Sequence, residues 1–122
     1  MAAKLSKAKR PKRRWIGFSF PPSVNSRSEL ESLFTQTFPE NTHFRIYDAH
    51  FSGSDVVTQS RAFQSIEEDV GIGIVCVNLT DFEVFRDGFS QHAAESGLLS
   101  LSSSGKIRLI RQRLGLPKPR KK

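Results

Sequence analysis

Ile72-Gly73-Ile74-Val75-Cys76-Val77 is the stretch on which the fold turns. It is apolar at odd and even positions alike, and its length suits a strand rather than a helix. A strand with two apolar faces belongs in the middle of a sheet, buried on both sides. Working outward, Glu67-Glu68-Asp69-Val70-Gly71 has the make-up of a hairpin loop leading into it. Either 44–51 or 60–66 can then be its hairpin partner. Further upstream, Arg14–Phe20 alternates, with Ile16, Phe18 and Phe20 on one face and Trp15, Gly17 and Ser19 on the other, and Pro21-Pro22 ends it.

Helices are spaced between these strands. Ser26-Arg27-Ser28-Glu29 fits a capping box, and Leu30, Leu33, Phe34 and Phe38 follow on one helical face until Pro39. Thr80-Asp81-Phe82-Glu83 repeats that box ahead of Phe82, Phe85 and Phe89, whose spacing is that of core packing. After Gly97, Leu98–Ser102 reads as a short strand. Ser102-Ser103-Ser104-Gly105 then reads as a turn and helix start, with Ile107, Ile110 and Leu114 as the apolar stripe and Gly115 as the stop. Strand, helix, strand–strand, helix, strand, helix gives an α/β sandwich: an open, mainly antiparallel sheet with helices packed on it. Residues 40–66 are the least legible part.

The chain has 122 residues, enough for one core, and a net charge of +7. Its distribution is uneven. Residues 1–14 hold seven Lys or Arg and 106–122 hold eight, with no acid in either segment; 15–105 holds four Lys or Arg and all 12 Asp and Glu, a net of −8. The expected organisation is a disordered basic arm over 1–13, a single domain over 14–116 and a basic tail over 117–122. Nucleic acid rewards such ends by counterion release. An anionic membrane would ask for large apolar residues among the cations, and 1–14 offers little beyond Leu5. No stretch is long and apolar enough for a membrane span or a signal peptide, so an intracellular, soluble chain is expected. KAKRPKRR (7–14) also fits a nuclear address, should the source be eukaryotic.

The ingredients of protein catalysis are not assembled in this sequence. His43, His50 and His92 lack metal-binding spacing, Cys76 stands alone in an apolar run, and Glu67-Glu68-Asp69 reads as a solvated loop tip. Gly71-Ile72-Gly73 lacks the third glycine of a phosphate loop.

The order and spacing of these features resemble one family. A Gly73-Ile74-Val75 strand, a helix with Glu83 and Arg86, a short strand, and Ser104-Gly105-Lys106-Ile107 opening a basic helix are similar to the archaeal and eukaryotic ribonuclease P protein component 2 (Pop-five) family. The start also matches its basic arm followed by Arg13-Arg14-Trp15-Ile16-Gly17-Phe18. The chain departs from that pattern at Cys76-Val77-Asn78-Leu79, which lacks the arginines of R-C-x-R, and at Lys106, where the family has Thr.

The resemblance implies a ferredoxin-like (RRM-like) fold and a subunit of ribonuclease P, which removes the 5′ leader of precursor tRNA. It implies that the RNA catalyses with magnesium ions, that the protein binds no cofactor, and that component 3, a TIM-barrel-like protein, is a partner among other ribonuclease P proteins. RNA contacts are expected at Ser104, Gly105, Lys106, Arg108, Arg111 and Arg113, and on the arm at Lys9, Arg10, Lys12, Arg13 and Arg14. A different basic RNA-binding protein, such as a small ribosomal one, and a module for an acidic partner are the competing readings. Trp15 is the one aromatic placed for base stacking, although burial or docking to a partner protein is the preferred expectation for it.

Overall fold

The computed structural model describes residues 12–117. Four strands, β1 (Arg13–Phe20), β2 (Phe44–His50), β3 (Gly71–Asn78) and β4 (Leu99–Ser104), form one sheet in the order β2-β3-β1-β4. Each neighbouring pair is antiparallel. Five helices accompany them: α1 (Arg27–Thr37), α2 (Asp55–Gln64), α3 (Phe82–Gln91), the single turn α4 (Ala93–Ser96) and α5 (Ile107–Leu114). The fold is α+β with the strand order of a ferredoxin-like sandwich, to which α2 and α5 are added.

β3 is the centre the sequence made it. Val75 and Val77 face a core with α1 and α3, while Ile72 and Ile74 face a second core with α2 and α5. All four are at most 1% exposed. The glycines of the opening stretch have a steric role. A Cβ on Gly71 would lie 2.2 Å from the Phe20 ring, and one on Gly73 would lie 2.8 Å from that of Phe18. The two rings of β1 therefore lie across the bare backbone of β3, and continue into Phe34 (5.0 Å from Phe18 between centroids), Phe38, Phe85 and Phe89. Phe85 and Phe89 are buried, so the helical Phe stripe is core, with Phe82 half-buried at its edge.

On the other face Gly17 lets α5 settle on the sheet, where a Cβ would meet Leu114 at 2.7 Å and Ile110 at 3.1 Å. α5 closes on Gly115 (φ 69°), with the Leu116 amide donating to the Arg111 carbonyl and the Gly115 amide to Gln112. That is the Schellman arrangement of a helix ended by a left-handed glycine.

Several expectations are corrected. Of the two candidate partners for β3, left open by the sequence, β2 within 44–51 is the one that pairs, and 55–64 is helix α2. Ser54 caps it through the Val57 amide, so Glu67–Val70 joins a helix to a strand rather than turning a hairpin. Thr80-Asp81 makes no capping box: Leu79–Asp81 is a 3-10 turn, α3 opens at Phe82, and the Asp81 carboxylate accepts the His43 amide instead. At α1 Ser26 does accept the Glu29 amide, but Glu29 reaches back to the amide of Asn25 rather than of Ser26. β4 runs two residues past Ser102, and the basic arm ends earlier than residue 13. Arg13 is already in β1, and the Lys12 carbonyl accepts the Leu79 amide at 2.8 Å.

Candidate nucleic-acid interface

The antiparallel register decides which charges meet. Arg13 lies opposite Asn78 at the end of β3, and Trp15 lies opposite Ser104 at the end of β4. The basic arm therefore reaches the sheet at the same end from which β4 passes into α5. Lys12, Arg13, Lys106 and Arg108 are all exposed there. Arg14 lies on the other face of β1, its guanidinium 5.5 Å from the Phe82 ring and beside Gly105. Lys9 and Arg10 lie outside the described residues, as does the tail after Pro117.

The start of α5 differs from the sequence expectation. Ser104 is the last residue of β4 and 8% exposed; its Oγ accepts the Lys106 amide at 3.1 Å. Gly105 is the exposed turn, and the helix begins at Ile107 with no side-chain cap. The amides left open at its first turn thus belong to Ile107 and Arg108 rather than to Ser104 and Gly105.

Arg111 and Arg113 are occupied within the fold. Arg111 pairs with Asp48 of β2, with side chains 14% and 24% exposed, donates to the Pro117 carbonyl at 3.2 Å and lies 5.7 Å from the Tyr47 ring centroid. It ties α5 to the edge strand. Its Nε has no partner among the described residues. Arg113 is exposed but donates to Ser102 Oγ and the Ser103 carbonyl, both at 3.1 Å. Of the four cations expected at and along α5, Lys106 and Arg108 are exposed with no side-chain partner among the described residues, and Arg113 is partly engaged.

Two residues missed by sequence reasoning join the group. Arg45 and Tyr47 sit on β2, whose register slips between Ile46 and Asp48. A bulge places an extra residue on one strand and re-aims side chains. Here Arg45 faces Cys76, Asp48 faces Ile74, and the Tyr47 ring meets Trp15 edge-on at 5.1 Å, so three of four consecutive side chains share one face. Arg27 of α1 donates to the Ile46 carbonyl at the bulge. The alternation Phe44, Ile46 against Arg45, Tyr47 was visible in the sequence; the bulge was not.

Burial pushes the Cys76 thiol pKa up, against the pull of Arg13 and Arg45. This thiol stays protonated at neutral pH, as suits a structural cysteine. Burial likewise lowers the His50 pKa, opposed by Asp48 and reinforced by Arg111. Asp69 is held by Ser52 and Arg61. Among the described residues no three His, Cys, Asp or Glu side chains gather to hold a metal ion, and no helix is long and apolar enough to cross a membrane.

Compared with models of known families and with curated proteins, the chain matches none.

Proposed function

We propose that this chain is an RNA-binding protein subunit of ribonuclease P, supporting the catalytic RNA in removing the 5′ leader from precursor tRNA. The observation that carries the RNA-binding part is the meeting of Lys12, Arg13, Lys106 and Arg108 at one end of the sheet, on a body whose middle is net acidic. Phosphates gathered there release counterions and are oriented away from the acidic flank. The assignment to ribonuclease P rests on the resemblance of 9–20 and 71–115 to the component 2 family. The ferredoxin-like strand order and the basic helix following β4 agree with it.

In this reading the RNA performs the cleavage and holds the magnesium, and the chain contributes no catalytic side chain. Its work is electrostatic. Lys106, Arg108 and the arm neutralise phosphates, which lets RNA segments approach that would otherwise repel. A TIM-barrel-like component 3 and other ribonuclease P proteins are its partners, precursor tRNA is the substrate of the assembly, and the location is the cytoplasm, or the nucleus in a eukaryote.

Reconstitution tests this directly. Adding the full chain together with component 3 to ribonuclease P RNA should restore precursor-tRNA cleavage at a magnesium concentration where the RNA alone is inactive. No gain in cleavage, with ribosomal RNA recovered on the purified chain, would favour the ribosomal reading. Recovery of an acidic protein and no RNA would favour the third.

A further inference from the structure

One row of residues crosses the whole sheet on the face that α5 covers only in part. Register partners share a face, and Arg45↔Cys76, Cys76↔Trp15 and Trp15↔Ser104 run from one edge strand to the other. The next row inward, Gly17↔Ile74, lies under Leu114 of α5. In the outer row Cys76 and Ser104 are buried, while Arg45 at its edge is exposed. Trp15 is half-buried at the edge of the core formed with α2 and α5, Tyr47 is 38% exposed, and Arg13 and Arg45 are exposed.

The chemistry of this row is specific. Arg13 lies 5.8 Å from the Trp15 ring centroid, Tyr47 meets Trp15 edge-on, and Arg13 and Arg45 both act on the Cys76 thiol between them. No acid stands in the row, and the nearest carboxylate on β2, Asp48, is engaged by Arg111. Arg13 covers one face of Trp15 and Arg111 one face of Tyr47, so a base would stack on a ring face these guanidiniums leave, with the exposed Arg45, Lys106 and Arg108 as cations for the phosphates on either side of it. Base–aromatic stacking on sheet strands is how single-stranded RNA is held. A duplex keeps its bases stacked inside and cannot reach these rings.

We infer that Trp15 and Tyr47, with Arg13 and Arg45, form a stacking site for an unpaired RNA base at the open end of the sheet. The inference rests on the RNA-binding reading and sharpens it: the site takes single-stranded RNA, and Trp15 is a ligand-contacting residue rather than a buried one or a protein-docking one.

Trp15 is the chain's sole tryptophan, so its emission reports on the site directly. The full chain is titrated with a short single-stranded oligoadenylate, with an abasic strand of equal phosphate number, and with the corresponding duplex. The oligoadenylate should quench Trp15 emission and bind about tenfold tighter than the abasic strand. Tyr47→Ala should remove that tenfold advantage while leaving abasic-strand affinity and the salt slope unchanged. The comparison of strands on the unmodified protein needs no variant to fold. Equal affinity for abasic strand and oligoadenylate without quenching, or a duplex that binds as tightly as the single strand, overturns the stacking site and leaves the phosphate-binding reading standing. Binding of none of the three at low salt overturns both.

Discussion

Arg111 illustrates how one residue type divides between two jobs on one short helix. By composition it belongs with Lys106, Arg108 and Arg113, yet its guanidinium lies on Asp48 with 14% of the side chain exposed. Breaking a shielded pair from one side leaves the other charge uncompensated. Partial exposure softens that cost, so Arg111→Ala should lose about 2 kcal/mol in urea unfolding. Asp48→Asn in the same chain should recover part of it. Arg108→Ala, at an exposed residue with no ion pair among the described residues, should stay within about 0.5 kcal/mol of the parent. An Arg111→Ala protein of parental stability would return Arg111 to the free cations. Sequence could not separate these arginines, because the separating fact is a carboxylate 63 residues away on another strand.

At the scale of the element, α2 is the part that sequence did not reveal. Asp55–Gln64 places Val56 and Val57 among polar residues, and its buried side chains are Val57 and the polar Ser60. Its position is fixed from outside. Ser60, fully buried, donates to the Leu114 carbonyl at 2.5 Å, and Gln64 donates to Ser60 at 2.9 Å, so α2 satisfies the C-terminal end of α5. Losing that donor leaves the Leu114 carbonyl with only the longer 3.4 Å hydrogen bond from Gln64 Nε2. Ser60→Ala should cost about 1–2 kcal/mol, and hydrogen exchange should show the amides of α5 opening sooner than those of α1 and β3. Uniform loss of protection across the chain would instead mean that α5 is no separate unit. β1, α1, β3 and the apolar stripe of α5 were legible, because each carries its period and its stops within its own residues.

For the whole molecule the question is how separate charge runs become one surface. If Lys106 and Arg108 contact RNA phosphates, replacing both with Gln should flatten the salt dependence of RNA binding by about one to two units of slope. Fluorescence anisotropy of labelled RNA over a potassium chloride series measures it. Arg86→Gln is the control: Arg86 is exposed on α3, in the opposite helical layer and beside Asp87, and should leave the slope unchanged. Equal flattening by both variants would mean diffuse attraction without an interface. What the sequence by itself determined was local: a central strand apolar on both faces, the aromatic core, and basic segments at the two ends, since periodicity and composition act over a few residues. Which of those cations stand free, which segment pairs with β3, and that Arg45 and Tyr47 join Trp15 were decided only by the tertiary structure. Those outcomes depend on register, on a bulge and on partners dozens of residues apart, and no local pattern encodes them.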